Sequence, residues 1–389
     1  MKKLLSFLLI CFTLCNAQVP QSYTSFQGNL LNLYKYEGTK TMILADSNVL
    51  DADIMKKWSD AMDGTYNFYY SCTGQYPTCY TNVTCINGKS TIAKVVNTCG
   101  AGCGYLGTTG IELEATYFDI FYNNLLNNNQ YDQVPFYEFG RNFWFYDSKL
   151  RYQSNDPIVT GYAVFMRFMA MEYIGVQGAN FGSWTFPQFQ SNVKGLLTTY
   201  MADPNLNWAN TLGIGQGVPN SGLGATDLFA SFCFYLKDTY GMSWVQNVWK
   251  KASLLPNAIT TQDAVDNFII ASSQAANVNL VSLFKYWKWT PSPASITFIN
   301  STLGVSENTS YANETIAYPN PTTGEVYIDN VVARKVNVYN NAGQLVKTIS
   351  NKGNTTNTSV QLNNLPTGTY YLNIESEKNV YTVKPIIKQ

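Results

Sequence analysis

In its first half the chain reads Pro135-Phe136-Tyr137-Glu138-Phe139-Gly140-Arg141-Asn142-Phe143-Trp144-Phe145-Tyr146. This aromatic run holds only two charged residues, Glu138 and Arg141, and it predicts a helix over 135–146. Tyr137 and Arg141 are four residues apart, so they share one face of that helix. Glu138 and Arg141 are three residues apart and can form an ion pair on the helix. We therefore expect a tyrosine, a carboxylate and a guanidinium to lie together.

The composition narrows the chemistry that the 389 residues can perform. No histidine is present, which excludes histidine-bound metals and every catalytic dyad or triad that needs a histidine base. Basic and acidic residues number 25 each, so no excess positive charge is available for nucleic acid. Charged residues make up only 13% of the chain, whereas 28 tyrosines and 21 phenylalanines are present. Such a composition is typical of a neutral, aromatic-rich extracellular protein.

The aromatic helix resembles the zinc-binding helix His-Glu-x-x-His of the gluzincin metallopeptidases. In that alignment Tyr137 takes the position of the first histidine, Glu138 that of the glutamate and Arg141 that of the second histidine. The third gluzincin ligand is a glutamate on a later helix, and the resemblance implies Glu172, the one acidic residue of an apolar helical segment. More loosely, most of residues 40–289 resembles the enhancin-like, mucin-degrading class of metallopeptidases. The resemblance implies a zincin-like α+β body.

This chain departs from the gluzincin pattern at the metal ligands themselves. Zinc is bound by neutral imidazole, carboxylate or thiolate groups. Arg141 stays cationic at any working pH, and Tyr137 is a poor ligand. We therefore expect no metal, no cofactor and a degenerate site in a pseudoenzyme. One hypothesis pairs Arg141 with both Glu172 and Glu138, and the simpler alternative is a structural Glu138–Arg141 pair.

Carboxylates offer the remaining route to catalysis. Glu138 is one candidate, and Glu112 and Glu114 are two residues apart, a spacing that places both on one side of a strand. Paired carboxylates of this kind hydrolyse glycosidic bonds. A metal-free glycosidase or divergent peptidase is therefore the alternative to a binding protein, and an adhesin or structural surface module is a second alternative.

Residues 1–17 have the pattern of a signal peptide, with Lys2 and Lys3 before an apolar stretch and a small-residue cleavage site. Export favours disulfides between five clustered cysteines, Cys72, Cys79, Cys85, Cys99 and Cys103. We expect a Cys99–Cys103 bridge that pins a glycine-rich loop over 99–110. A second bridge is expected between two of the first three cysteines. No later segment is apolar enough to cross a membrane.

The composition changes after Trp289. Residues 290–317 are rich in Pro, Ser, Thr and Asn, which predicts a linker, and short alternating strands separated by turns predict a β-sandwich over 318–389. This module resembles the C-terminal sorting domain of the type IX secretion system of Bacteroidota. The residues that match are Tyr318, Pro319, Asn320, Pro321, Gly343, Gly368, Tyr370 and Lys384. The resemblance implies the type IX machinery as a partner.

Together these features predict three parts after the leader. Residues 18–289 form a mostly helical α+β body with a small N-terminal sheet, 290–317 form the linker and 318–389 form an all-β sandwich. We expect a secreted or cell-surface protein that binds a glycoprotein, peptide or glycan. Nucleic acid is not expected as a partner.

Overall fold

The computed structural model describes residues 19–152, 157–303, 315–329, 331–351, 358–376 and 381–389. The predicted signal peptide lies outside these residues. The chain divides into two compact units, with the boundary after Leu303. The first is an α+β body and the second is built from antiparallel sheets, as the sequence predicts.

The body contains one mixed sheet in the strand order β1-β2-β3-β5-β7-β6, with β4 paired to β5. Strands β3, β5 and β7 run parallel, and β6 pairs antiparallel to β7 at one edge. The strand bounds are β1 Gln21–Thr24, β2 Leu30–Glu37, β3 Thr41–Ala45, β4 Cys85–Ile86, β5 Lys89–Val95, β6 Gly102–Gly104 and β7 Ile111–Glu114. Strand β6 lies inside the segment expected to be a loop.

The rest of the body is helical. The helices are α1 Ala52–Thr73, α2 Ala115–Asn128, α3 Val134–Asn142, α4 Asp147–Leu150, α5 Pro157–Ile174, α6 Phe186–Ala202, α7 Ala225–Tyr240, α8 Met242–Ser253, α9 Thr261–Ala276, α10 Val281–Tyr286 and α11 Pro293–Leu303. Their apolar side chains form one large core with one face of the sheet, while a smaller cluster around Met42 and Leu44 covers the other face. In the described part of the chain no helix is long and apolar enough to span a membrane.

Local sequence determines where helix α1 begins and ends. Asp51 caps its N-terminus by accepting hydrogen bonds from the amides of Asp53 and Ile54, each at 3.0 Å. Gly74 ends the helix with φ of 72°, a left-handed conformation that glycine adopts without strain. On its buried side Asp63 accepts hydrogen bonds from Thr39, Lys40 and Thr41. The carboxylate thereby holds the β2–β3 turn against the helix.

Helix α5 is the central element of the helical layer. Its residues are buried from Pro157 to Met171 with few exceptions, and it packs against α1, α3 and α7. Helix α3 ends at Asn142, four residues earlier than expected, because Phe143 and Trp144 leave the helical path and enter the core. The aromatic composition of this segment does not reveal that the helix ends at Asn142.

The predicted linker begins too early. Residues 293–303 form α11, which packs on α9 with Ile299 fully buried. The helix starts at Pro293, where the missing amide hydrogen is harmless. The body therefore reaches Leu303 instead of Trp289.

The second unit consists of two antiparallel sheets. One has the order β11-β10-β13-β14 and the other β12-β9-β8. The bounds are β8 Ile316–Tyr318, β9 Glu325–Asp329, β10 Ala333–Asn340, β11 Leu345–Ser350, β12 Thr358–Gln361, β13 Gly368–Ser376 and β14 Tyr381–Lys388. Valine and isoleucine side chains from both sheets form its core, which is the arrangement expected of a β-sandwich.

Candidate functional site

The helix that carries the degenerate motif lies directly against the edge strand of the sheet. Asp132, which lies just before the N-cap residue Gln133, accepts a hydrogen bond from the Val134 amide at 2.9 Å at the start of α3. A Cβ atom added to Gly102 would lie 2.8 Å from Val134, and one added to Gly104 would lie 2.9 Å from the carbonyl oxygen of Glu138. The two glycines therefore allow α3 to approach β6 this closely.

Glu138 points from α3 into this contact. Only 6% of its surface is exposed, and Oε2 has no hydrogen-bond partner among the described residues. Burial raises the pKa of Glu138 to about 7, against the opposing effects of Arg141 and the Gly104 amide. The space around this carboxyl is filled by protein, so it offers no room to a substrate.

Arg141 fastens the helix to the sheet. Its Nε donates a hydrogen bond to the Gly104 carbonyl oxygen at 3.0 Å and lies 3.7 Å from Oε2 of Glu138. The side chain keeps 29% of its surface exposed. The structure thus contains the Glu138–Arg141 pair of the simpler interpretation.

The expected pairing of Arg141 with Glu172 is wrong. Glu172 lies 2.7 Å from Nζ of Lys237 on α7, and 46% of its side chain is exposed. The reason is the antiparallel packing of α3 and α5. Gly140 faces Ala163, so residues later in α5 lie toward the start of α3. Glu172 is therefore too far along α5 to reach Arg141.

Arg167 of α5 lies opposite the remnant motif instead. Its guanidinium carbon is 5.7 Å from the ring centre of Tyr137, and it donates a hydrogen bond to the side chain of Gln133. The sequence interpretation missed this residue. The available signal was a single basic residue in a mainly apolar 18-residue helix whose other charged residue is Glu172. Asn142 was missed as well, although its Nδ2 donates to Tyr105 and Gly110 carbonyl oxygens.

The residues present do not fit a zinc ion. Among the described residues no group of three His, Cys, Asp or Glu side chains could hold a metal. Arg141, which aligns with a histidine of the gluzincin helix that this segment resembles, is already bonded to Gly104. A guanidinium there repels a dication and occupies its space.

The carboxylates proposed as a catalytic pair have structural partners. Glu112 is fully buried and accepts hydrogen bonds from Tyr23 Oη at 3.2 Å, the Phe26 amide at 2.6 Å and Thr98 Oγ1 at 3.1 Å. Burial raises the pKa of Glu112, and the three bonds oppose that rise. Glu114 caps α2 by accepting from the Thr116 amide at 2.9 Å. Glu112 thus attaches the N-terminal segment to the sheet, and Glu114 starts a helix.

Two disulfides are present in the cysteine cluster. They join Cys99 to Cys103 and Cys79 to Cys85, which agrees with the two predicted local bridges. Cys72, the third candidate for the second bridge, is a buried free thiol.

A cavity of about 460 Å³ opens beside the C-terminal end of α3. It lies between the loop that follows β6 and the segment that follows α3. Its lining consists of Gln75, Leu106, Gly107, Trp144, Phe145, Asp147 and Ser148. Phe145 is partly exposed there, and Trp144 donates a hydrogen bond to the Asp147 carboxylate. The cavity therefore combines aromatic and polar groups.

The predicted sorting residues hold the C-terminal strand in place. Asn320 donates from Nδ2 to the Pro385 carbonyl oxygen and accepts from the Ile387 amide, both at 2.8 Å. It lies between Pro319 and Pro321, whose preceding peptide bonds are both cis, the first of them after Tyr318. Tyr370 donates to the Pro366 carbonyl oxygen at 2.7 Å.

The remaining predicted sorting residues lie on the strands and their turns. Gly343 lies in the β10–β11 turn with φ of 74°. Gly368 begins β13, and Lys384 pairs with Leu372 across β13 and β14.

Comparison with solved structures finds partial structural matches at very low sequence identity. A conserved protein of unknown function from Bacillus anthracis str. Ames has a TM-score of 0.49 at 12% identity, covering 92% of this chain and 72% of that one. A metallopeptidase from Bacteroides thetaiotaomicron has a TM-score of 0.46 at 11% identity, covering 90% and 65%. The catalytic module of the metalloprotease ZmpA from Clostridium perfringens has a TM-score of 0.44 at 11% identity, covering 92% and 68%. Similarity at this level assigns no activity.

Sequence comparison identifies only the C-terminal unit. No curated protein matches the chain. Residues 316–388 match the family described as Secretion system C-terminal sorting domain, close to the predicted bounds of 318–389. The matched residues cover β8 to β14. This chain therefore carries a secretion-system C-terminal sorting domain, which marks it for type IX export to the medium or the cell surface.

Proposed function

We propose that this protein is an exported binding protein of a Bacteroidota bacterium. Its body is a metallopeptidase-like pseudoenzyme, and its ligand is a glycan carried on a secreted or surface glycoprotein. The observation that carries the proposal is the cavity beside α3, which joins the partly exposed ring of Phe145 to the polar groups of Gln75, Asp147 and Ser148.

Sugars are amphipathic, and this lining suits them. The C–H face of a pyranose packs on an aromatic ring, while its hydroxyls need carboxylate, amide or hydroxyl partners. A few placed polar groups in an otherwise apolar concavity are the usual composition of a small-ligand site. The cavity of about 460 Å³ is open to solvent, so these groups are accessible to a ligand.

The environments of the three candidate carboxylates favour binding without hydrolysis. Glu138 is enclosed by protein, and Glu112 and Glu114 serve the N-terminal strand and α2. A carboxylate-based hydrolase needs two carboxylates that face a substrate. Glu138, Glu112 and Glu114 do not form such a pair. Their geometry therefore does not support the hydrolase alternative.

The test is a titration of the full chain with a panel of mono- and disaccharides followed by calorimetry. Phe145→Ala removes the stacking surface, and we expect its affinity for any bound sugar to fall at least tenfold. Tyr117→Ala removes a more exposed ring on α2, away from the cavity lining, and should change affinity less than twofold. Equal binding by wild type and Phe145→Ala, or no saccharide bound at all, would contradict the proposal.

A further inference from the structure

Three aromatic rings contact one another on the surface of the body, and together we call Phe26, Tyr80 and Tyr105 the aromatic surface. The ring centre of Tyr105 lies 4.6 Å from that of Phe26 and 4.9 Å from that of Tyr80. Tyr80 is 49% exposed, Tyr105 is 39% exposed and Phe26 is partly exposed. Single exposed rings are normal on a protein, whereas a contiguous exposed patch is a mark of a binding surface.

The backbone fixes the aromatic surface in place. The Phe26 amide donates a hydrogen bond to the buried Glu112 carboxylate at 2.6 Å, and the Tyr105 carbonyl oxygen accepts one from Asn142 Nδ2 at 3.0 Å. Tyr80 directly follows one of the disulfide-bonded cysteines. Rings that are already held in position lose little conformational freedom when a ligand binds to them.

The chain segments around these rings carry no charge. Residues 20–34, 76–88 and 95–111 contain no Lys, Arg, Asp or Glu. Protein partners are oriented by complementary charges, which this surface does not supply. It offers exposed amide and hydroxyl groups instead, at Gln27, Asn82 and Thr81. Aromatic rings beside neutral hydrogen-bonding groups match a neutral sugar.

The aromatic surface adjoins the cavity of the proposed function. Tyr105 directly precedes Leu106 and Gly107, which both line that cavity. Two residues of chain span at most about 7 Å. A Cβ atom added to Gly107 would lie 3.6 Å from Cδ1 of Phe145. The ring of Phe145 and the exposed ring of Tyr105 are therefore connected through one short segment.

A second segment makes the same connection. Gln75 lines the cavity, and Tyr80 follows it by five residues. Between them, the Thr78 amide donates a hydrogen bond to the Gly107 carbonyl oxygen at 3.0 Å. The two bonded segments thus contribute both to the cavity and to the aromatic surface.

We propose that the aromatic surface is a second sugar-binding subsite. The ligand is then a neutral oligosaccharide with one sugar in the cavity and later sugars against Tyr105 and Tyr80. This inference rests on the proposed function and adds that the glycan is neutral and extends over several sugars. It also gives the disulfide-pinned glycine-rich loop a role, because that loop presents Tyr105.

The experiment is frontal affinity chromatography on the immobilised full chain. The probe is the neutral fraction of the O-glycans released from desialylated gastric mucin, with retention measured for each glycan by mass spectrometry. We expect glycans of three or more sugars to be retained more strongly than mono- and disaccharides. Tyr105→Ala should weaken retention of the longer glycans about fivefold and change that of the short ones less than twofold.

Tyr117→Ala is the matched control, because this tyrosine of α2 is 45% exposed and lies outside both the cavity lining and the aromatic surface. It should leave retention of all glycans unchanged. If no glycan is retained, or if Tyr105→Ala retains the longer glycans as strongly as wild type, the proposal is overturned.

The cavity and the aromatic surface fail in different ways. Retention that does not depend on glycan length, and that is lost in Phe145→Ala but not in Tyr105→Ala, would support the cavity and reject the aromatic surface. Retention of long glycans that depends on Tyr105 but not on Phe145 would reject the cavity and support the aromatic surface alone.

Two further variants and one further probe keep the test decisive. Tyr80→Ala should show the same loss for long glycans and replaces Tyr105→Ala if that variant does not fold. Tyr105→Phe keeps the ring and should retain long glycans within about twofold of wild type; a loss as large as that of Tyr105→Ala would contradict stacking on the ring. Chemically deglycosylated mucin probes a protein partner, and its Tyr105-dependent retention without that of any released glycan would overturn the saccharide assignment.

Discussion

The Nε atom of Arg141 donates a hydrogen bond to the carbonyl oxygen of Gly104 at 3.0 Å. Gly104 ends the edge strand β6, and Arg141 lies in the last turn of α3. The bond therefore ties the helix to the sheet at the position where the zinc-binding helix that this segment resembles carries its second histidine. A side chain held in this way serves the fold and leaves no room for a metal.

The Arg141–Gly104 bond predicts a loss of stability in Arg141→Met. The variant loses a charged hydrogen bond and leaves Glu138 buried without its cation. We expect the free energy of unfolding to fall by about 2 kcal/mol. All 8 tryptophans lie before residue 290, so tryptophan fluorescence during urea unfolding reports on the body alone. Arg151→Met removes an exposed ion pair with Asp147 and should cost less than about 0.5 kcal/mol; equal losses would contradict this account.

The close approach of α3 to β6 predicts that Gly104 tolerates no side chain. A Cβ there would lie 2.9 Å from the Glu138 backbone oxygen and 3.0 Å from Asn142 Nδ2. We expect Gly104→Ala to destabilise the body by about 2 kcal/mol, since overpacking moves backbone here. Gly195→Ala is the matched control, because its helical site in α6 is open and alanine is the better helix former. Its stability should rise slightly, and a loss of stability in both variants would indicate a different cause.

Glu138 predicts a specific pH dependence. Its pKa is raised from 4.5 to about 7 in the folded state, so folding favours the protonated form. Its contribution to stability is therefore full below about pH 4.5 and is lost as the pH rises through 7. Other buried carboxyls, including Asp132, act with the same sign, so the comparison must be between wild type and Glu138→Gln.

Measured by urea unfolding, the stability of Glu138→Gln relative to wild type should increase by about 2 kcal/mol between pH 5 and pH 8. Glu172→Gln alters an exposed carboxylate and should show no such change. A difference between Glu138→Gln and wild type that is constant with pH would show that Glu138 titrates normally.

The hydrogen bonds to Glu112 predict that its replacement affects stability and not catalysis. Three donors converge on its carboxylate, from Tyr23, Phe26 and Thr98. Glu112→Gln turns one acceptor into a donor that faces donors, which should destabilise the body by about 2 kcal/mol. Amide hydrogen exchange should become faster in residues 21–26. If Glu112→Gln keeps the wild-type protection from hydrogen exchange but loses a glycosidase activity, Glu112 is catalytic and the structural assignment is wrong.

The features that the sequence predicts well are local ones. The Glu138–Arg141 pair needs only helical spacing, and the two disulfides need only short loops. The sorting domain is recognisable from short local motifs in a fixed order, beginning with Tyr318-Pro319-Asn320-Pro321.

The features that it misses depend on long-range contacts. Gly102–Gly104 becomes a strand only because it pairs with β7, since Gly-Cys-Gly has little strand preference of its own. The partner of Glu172 depends on the packing of α5 between α3 and α7, which places Lys237 beside it. Arg167 reaches Tyr137 through the same packing. Residues 293–303 have the composition of a linker and fold as α11 because α9 offers an apolar surface.

The central claim is that Arg141 makes a structural contact between α3 and β6, where the gluzincin helix that α3 resembles carries a zinc ligand. The most direct measurement is elemental analysis of the full chain, purified without chelators and without a histidine tag, after exposure to equimolar zinc and gel filtration. We predict less than about 0.1 zinc per chain, because the cationic Arg141 is bonded to Gly104 and the described residues supply no set of three ligands. A content near one zinc per chain, lost on mutation of Glu138, would contradict the account.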